Sequence, residues 1–347
     1  MPRSVLHLLQ DEGSVQALDG AEHRKRKLMF MRMMGAASLQ RAVEIFSHQF
    51  EAAADAWKTV PQIRFHDEIR RVLTRTALAW AGVPLPENEI GDRTLEFAAM
   101  VDDARSLGPA NWRARRLRNR SEAWARSVVK QAREGQPSAQ EASPLSIIAH
   151  HRDIDGKELD LAEAAVELLN VLRPTVAIDR FAVFAALALH QQPAWVERIR
   201  AGDAEDVESF VLEVRRFYPF FPVIGGRVAE EFDWKAHHFK IGQWVILDLY
   251  GTNHHAASWE NPDEFRPERF LSWKGDPYEY VAQGAGSFED NHRCPGEWLT
   301  IALLKETVRL LCTRLRYDVP LQDLSIDLSR MPALPESGMV MRDIRSG

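Results

Sequence analysis

Apolar side chains recur at helical spacing along most of the chain. The clearest stripe comprises Val43, Phe46, Phe50, Ala53 and Trp57, and spacings of three and four place all five on one side of an α-helix. Similar segments occupy residues 23–34, 65–81, 95–100, 112–124, 205–217 and 298–315. Glycine and proline follow several of them, as expected where helices end. The pattern predicts a protein built largely of helices.

A long, mostly apolar segment, residues 161–190, contains Arg173 and Pro174. A proline inside a helix removes a backbone hydrogen bond, so we expect one long helix with a kink at this point. An arginine among apolar residues is costly to bury unless an anion meets it. The residues alone leave two interpretations: a salt bridge to an internal acid such as Asp179 or Glu167, or a receptor for a substrate anion.

Strand signals are few and come late in the chain. Apolar and polar residues alternate enough over residues 228–250 to predict strands, with a turn near 240–242. The tail, which contains Pro332, Pro335 and Gly338, predicts a loop and a short hairpin. Residues 135–144 predict a loop that is short for a domain linker. We therefore expect a fold that is mainly α with a small β part, organised as one domain over residues 1–347.

Composition and charge exclude several classes of protein. The 347 residues carry a net charge of -6 and are 45% hydrophobic, which is typical of a soluble globular protein and gives no support to a nucleic-acid partner. The longest apolar run, residues 181–189, is too short for a transmembrane segment. Two cysteines, Cys294 and Cys312, exclude a disulfide framework and suit a reducing compartment. We expect a cytoplasmic protein.

Cys294 ends a glycine-rich loop and is followed by Pro295, Gly296 and an apolar helical run. Proline is favourable at a helix start, so the sulfur is expected near a helix N-terminus, a setting that lowers a thiol pKa. Such a thiolate attacks a substrate or binds a soft metal centre; the alternative is a buried structural cysteine. The glycines and the Pro-Gly pair favour a functional cysteine. A cysteine hydrolase is a weak hypothesis, because no paired His and Asp arrangement is apparent.

Four elements, taken in order, resemble a cytochrome P450. The kinked segment fits the distal helix, Glu213-x-x-Arg216 matches the ExxR helix, residues 267–270 match the PERF segment, and residues 292–296 match the haem-thiolate loop. The resemblance covers essentially the whole chain and implies a P450 fold. It also implies a structural triad in which Arg269 joins Glu213 and Arg216.

The resemblance implies a cofactor, haem b, with the Cys294 thiolate as axial ligand of the iron. A thiolate in that position pushes electron density onto the iron and favours O–O cleavage. By family position, His292, His23 and Lys27 would contact the haem propionates.

Two departures are similar to the bacterial fatty-acid peroxygenases, a P450 subfamily that uses hydrogen peroxide. Arg173-Pro174 stands where an ordinary P450 has an acid–alcohol pair, and Ser287 replaces the usual phenylalanine in a lengthened cysteine loop. Further segments similar to that subfamily are residues 170–174, 214–220, 247–254 and 331–338.

The subfamily resemblance implies that Arg173, followed by Pro174, pairs with the carboxylate of a fatty acid. That carboxylate would act as general base and then acid, giving hydroxylation at the α or β carbon, or decarboxylation to a terminal alkene. Gln16 matches the position where hydroxylases of the subfamily carry glutamine, so we expect hydroxylation. Fatty acid and hydrogen peroxide are the expected partners, with no redox partner required.

Two alternatives stay open at this point: a conventional dioxygen-dependent P450 with redox partners, and an inactive haem-binding remnant. Relatives carry a further N-terminal stretch with part of the β region before the position of Met1. We therefore expect a P450 fold lacking that part, with some apolar surface exposed.

Overall fold

The computed structural model describes residues 8–9, 13–104, 106, 108–135 and 143–347. Helix accounts for 56% and strand for 10%, which confirms the predicted class. The helices are α1 (Gly20–Met33), α2 (Ala36–Trp57), α3 (Phe65–Ala81), α4 (Ile90–Asp102), α5 (Pro109–Glu134), α6 (Pro144–Ala149), α7 (Leu161–Val176), α8 (Asp179–Gln191), α9 (Pro193–Ala201), α10 (Ala204–Phe217), α11 (Leu249–Asn253) and α12 (Glu297–Thr313). Residues 136–142 of the predicted loop lie outside the described part.

Within the described residues, the strands form three small antiparallel sheets. They are β1 (Gln62–Arg64), β2 (Val223–Arg227), β3 (Phe232–Trp234), β4 (His237–Phe239), β5 (Trp244–Asp248), β6 (Leu315–Asp318) and β7 (Val340–Ser346). The sheets have the orders β1-β7-β6, β2-β5 and β3-β4. The predicted strand region therefore begins earlier than expected, at Val223.

The prediction of a hairpin confined to the tail is wrong. β7 pairs on one side with β6 and on the other with β1, where Ile63 lies opposite Met341. β1 stands far earlier in the chain, so a local pattern in the tail carries no information about this partner. The sheet thus joins the short segment before α3 to the last strand of the described chain.

The long segment forms two helices, and the break does not lie at Arg173-Pro174. The Ala177 N–H still donates to the Arg173 carbonyl at 3.0 Å, so the helix continues past the proline and α7 ends at Val176. α8 begins at Asp179, whose carboxylate accepts from Arg70 Nε at 2.6 Å and Arg180 Nη1 at 2.8 Å. The break thus coincides with a buried ion-pair cluster that sequence spacing does not reveal.

α7 and α8 run through the centre of the molecule. α7 packs against α3, α4 and α5, whereas α8 packs against α3, α10 and α12. Residues 164–189 are buried except for Pro174, and an exposed side chain in the middle of a buried segment indicates open space beside it.

In the part of the chain that the structure describes, no helix combines the length and apolarity needed to cross a membrane.

Candidate active site

The cysteine loop folds back on itself through two glycines with positive φ, Gly284 (104°) and Gly286 (81°). A side chain at Gly284 would place its Cβ 3.0 Å from the Arg293 Cα, so only glycine fits there without displacing backbone. This close approach brings the start of the loop against its end. The Cys294 N–H consequently donates to the Gln283 carbonyl at 3.0 Å.

The surroundings of the sulfur do not favour a free thiolate. Burial raises the pKa of the Cys294 thiol, and a hydrogen bond from the Gly296 N–H, the charge of Lys27 and a hydrogen bond from Gln283 oppose it only partly. The predicted lowering of this pKa is therefore wrong, because desolvation outweighs the helix N-terminus. Such a thiol is a poor nucleophile on its own and ionises when a metal centre binds it.

Three residues predicted to contact a haem lie beside this loop. Lys27 Nζ donates to the Asn291 carbonyl at 2.9 Å and to the Arg293 carbonyl. The His23 ring lies 4.1 Å from that of His292, centroid to centroid. Burial, followed by the proximity of His292, lowers the pKa of His23. The described contacts of Lys27 hold the loop, and a role in binding propionates stays a prediction.

The side chains around Cys294 fit a haem better than a metal ion that only protein side chains hold. Among the described residues, no group of three or more His, Cys, Asp or Glu side chains could hold a metal ion. A metal bound to Cys294 would therefore take its other ligands from a non-protein group, and the ring nitrogens of a haem meet that need. Open space beside Pro174 is consistent with a bound group near the central helices.

The ExxR residues form a buried ion-pair cluster with the PERF segment. Arg216 donates to both oxygens of Glu213, at 2.7 and 2.8 Å, and Arg269 Nε lies 3.2 Å from Glu213 Oε2. Arg216 also donates to the Asn253 carbonyl at 2.7 Å. The cluster thus joins α10 to the irregular segment before the cysteine loop.

Arg173 is 4% exposed and binds main-chain oxygens of the segment before α1. Nη1 donates to the Leu8 carbonyl at 2.9 Å and Nη2 to the Leu9 carbonyl at 2.5 Å. Of the two acids considered as salt-bridge partners, Asp179 pairs with arginines of its own cluster, and Glu167 pairs with Arg26 at 2.8 Å. The interpretation of Arg173 as the partner of either acid is therefore wrong.

Asn170 links Arg173 to Gln16, a connection that the sequence analysis missed. Its Oδ1 accepts from Arg173 Nη2 at 3.2 Å, and its Nδ2 donates to Gln16 Oε1 at 3.2 Å and to Glu167 Oε2 at 2.9 Å. Asn170 precedes Arg173 by three residues and so shares its helix face. This spacing of three residues is the sequence signal from which the contact between Asn170 and Arg173 could have been predicted.

Comparison with known proteins finds similar chains over the whole length of this one. The family model "Cytochrome P450" matches residues 207–336. Cytochrome P450SP alpha (CYP152B1) is 43% identical with a TM-score of 0.96, covering 100% of this chain and 85% of that one. Cytochrome P450EX alpha (CYP152N1), solved with myristic acid, is 39% identical with a TM-score of 0.95, covering 100% and 84%. Cytochrome P450 OleT, solved with arachidonic acid, is 31% identical with a TM-score of 0.94, covering 100% and 83%.

Curated relatives match over shorter stretches. Cytochrome P450 71A8 from Mentha piperita is 27% identical over 133 residues, which are 37% of this chain and 26% of that protein. The chain thus spans about a quarter of the length of this curated relative. The similarity to the solved structures, in contrast, extends over the whole chain and includes the cysteine loop and both central helices. On this evidence the chain belongs to the cytochrome P450 family of oxidoreductases, and its fold is that of the CYP152 structures.

Proposed function

We propose that this protein hydroxylates long-chain fatty acids at the α or β carbon with hydrogen peroxide, using a haem b held by Cys294. The observation that carries the proposal is Arg173: a buried guanidinium at the centre of the molecule, next to the open space at Pro174. The ligands named for similar structures support it, since myristic acid, arachidonic acid and (R)-ibuprofen are all carboxylic acids.

Arg173 has the geometry to bind a carboxylate. Its two terminal nitrogens donate to the carbonyl oxygens of adjacent residues, Leu8 and Leu9. These two oxygens stand in for the two oxygens of a carboxylate, which arginine binds in the same forked manner. A fatty acid that binds here therefore exchanges places with the Leu8–Leu9 main chain, and its apolar tail extends away from the guanidinium.

The bound carboxylate supplies the acid–base group that the chain itself lacks at this position. Held by Arg173, it accepts a proton from hydrogen peroxide and returns that proton to the departing oxygen, which leaves as water. A haem bound through the Cys294 thiolate would supply peroxide activation and transfer of the remaining oxygen. The overall reaction converts fatty acid and hydrogen peroxide into hydroxy acid and water, with no electron from a redox partner.

Gln16 and Asn170 fix the direction of the guanidinium. The Asn170 side chain bridges Gln16 and Arg173 through hydrogen bonds of 3.2 Å each. A neutral amide at Gln16 adds no acid or base near the carboxylate, which favours hydroxylation over loss of carbon dioxide. The cytoplasmic location predicted from the sequence stays a prediction.

The test combines absorption spectroscopy with turnover on one sample. The dithionite-reduced protein under carbon monoxide is expected to give the Soret shift of a thiolate-ligated haem. Cys294→Ser should lose that shift, whereas Cys312→Ser should keep it, because Cys312 is a buried core residue on α12. Myristic acid with hydrogen peroxide, without reductase, should then yield hydroxymyristic acid by mass spectrometry.

Arg173→Ala should lower this turnover by about a hundredfold, since two charge-assisted hydrogen bonds are lost. 1-Tetradecanol, which has the same chain length without the carboxylate, should not be oxidised by the wild type. Peroxide turnover that persists in Arg173→Ala would contradict the proposal. Dioxygen-dependent turnover that needs a reductase and ignores this substitution would indicate the conventional P450 reaction instead.

A further inference from the structure

Arg215 is a buried cation next to the cysteine loop that neither the proposed reaction nor the Glu213–Arg216 cluster uses. It lies on α10, its side chain is 0% exposed, and its Nη2 donates to Glu297 Oε1 at 2.7 Å and to Gln283 Oε1 at 2.9 Å. Gln283 is also the residue whose carbonyl accepts from the Cys294 N–H. A single residue, Gln283, thus connects Arg215 to Cys294 through hydrogen bonds.

Hydrogen bonds to the described residues satisfy only one of the three guanidinium nitrogens of Arg215. In the neighbouring Arg216, Nε, Nη1 and Nη2 all donate to oxygens. In Arg215, Nε and Nη1 are buried and find no partner among the described residues. Buried donors without partners carry a desolvation cost. What Arg215 supplies is therefore its charge rather than a saturated set of hydrogen bonds.

The buried charges between α10 and the cysteine loop are unequal in number. The carboxylate of Glu297 accepts from both Arg215 and Arg293, the latter at 2.8 Å. Lys27 donates to carbonyls of the same loop. Two arginines therefore share one carboxylate, and the charge of Arg215 also interacts with Tyr280 and with an ionised Cys294. A thiolate at Cys294 would reduce the excess positive charge.

We propose that Arg215 is a positioning residue for the thiolate ligand, and that its buried charge restrains electron donation from the Cys294 sulfur to a haem iron. Glu297 and Gln283 fix the guanidinium, and Gln283 connects it to Cys294. The inference rests on the proposed function only in requiring a haem at Cys294. It adds a residue that sets the reduction potential of that haem, which the match to the P450 motifs does not assign.

The charges predict opposite effects for the two partners. One-electron reduction adds a negative charge to the haem, so a nearby cation favours the reduced form and a nearby anion disfavours it. Arg215→Gln should shift the midpoint potential in the negative direction. Glu297→Gln should shift it in the positive direction, because Arg215 and Arg293 then lack their counter-charge. Arg215→Lys, which keeps the charge, should return it towards the wild-type value.

The experiment is a spectroelectrochemical titration of the myristate-saturated holoprotein and these three variants, with the reduced carbon monoxide spectrum of each. Arg180→Gln is the matched control, because Arg180 is 3% exposed and lies in an ion-pair cluster around Asp179. We expect that variant to lose stability without a shift in potential. A structural role for Arg215 alone would behave like this control.

Shifts of opposite sign in Arg215→Gln and Glu297→Gln, with recovery in Arg215→Lys, would support the proposal. Shifts of the same sign, unchanged potentials, or loss of haem from both neutral variants would overturn it. A wild type that binds no haem would overturn this inference and the proposed function together. A thiolate spectrum without peroxide turnover would overturn the proposed function alone, since the potentials can still be compared.

Discussion

At the scale of single residues, the two cysteines differ by their surroundings. Cys294 lies in a loop with hydrogen-bond donors and Lys27 around its sulfur. Cys312 is 1% exposed in the core, and burial raises the pKa of its thiol to about 12. Burial raises both pKa values, so neither thiol is a good nucleophile by itself. What distinguishes Cys294 is its partial exposure in a glycine-shaped loop, whereas Cys312 is fully buried.

Asn170 offers a test of the polar link in front of Arg173. Asn170→Ala removes the hydrogen bonds to Gln16, Glu167 and Arg173. We expect KM for myristic acid to rise several-fold with a smaller change in kcat, because the guanidinium is less well oriented, and a loss of about 1–3 kcal/mol in stability. Steady-state kinetics and urea unfolding measure the two effects.

Asn119→Ala, at an exposed asparagine of α5, is the matched control and should change neither quantity. An unchanged KM in Asn170→Ala, together with lowered stability, would show that Asn170 only supports α7 and does not orient the site.

At the scale of elements, a buried cluster of charges joins three helices. Asp179 at the start of α8 accepts from Arg70 and Arg180, while Asp102 at the end of α4 accepts from Arg70 at 3.0 Å. His66 Nε2 lies 3.1 Å from Asp179. A buried ion pair is costly to form, but breaking it leaves an uncompensated charge. The cluster therefore fixes where α8 starts relative to α3 and α4.

Asp179→Asn should lower the free energy of unfolding by about 3–5 kcal/mol at pH 7, since Arg70 and Arg180 lose their shared buried carboxylate. Denaturant unfolding at fixed pH measures this change. Asp155→Asn, in an exposed loop, is the control and should leave the midpoint unchanged. A loss in Asp179→Asn no larger than that of the control would show that the cluster does not determine stability.

The same cluster predicts how stability depends on pH. Its arginines, acting against the effect of burial, depress the pKa of Asp179 and Asp102, so their contribution is complete above about pH 4 and is lost as the pH falls below it. Burial lowers the pKa of His66, so the unfolded chain takes up that proton first and stability declines from about pH 6.5 downward. His66→Gln should remove the upper part of this decline.

At the scale of the whole molecule, the second half of the chain carries an exposed apolar ribbon. It consists of β2 and β5 with the hairpin β3–β4 between them, and every residue of β5 is exposed. Ile246 is 67% and Trp234 59% exposed. Exposed apolar strands of this kind promote association between molecules.

Ile246→Lys should therefore reduce concentration-dependent self-association, measured by analytical ultracentrifugation, with little change in the unfolding midpoint. The matched control is Leu321→Lys, which removes an exposed but isolated leucine outside the ribbon. Equal effects of the two substitutions would show that general charge, and not the ribbon, controls association.

Much of the fold follows from local pattern. The stripe from Val43 to Trp57 lies in α2. Gly82, the glycine directly after the predicted helix at 65–81, is a left-handed residue with φ of 76° that ends α3. The pairing partners of the strands and the position of the helix break do not follow from local pattern. β7 pairs with β1, and the central helix breaks at residues 177–178 where Asp179 meets two arginines. Both outcomes depend on residues far apart in the chain.

The sequence by itself determined the helical class and the position of the cysteine loop, because periodicity and local spacing encode them. Its resemblance to the P450 motifs singled out Glu213, Arg216, Arg269 and Arg173. Only the tertiary structure decided that Arg173 faces main-chain oxygens, that Asn170 ties it to Gln16, and that Gln283 connects Arg215 to Cys294. The tertiary structure also decided that the pKa of the Cys294 thiol is raised and not lowered. Burial and long-range electrostatics depend on which segments pack together, and no local pattern contains that information.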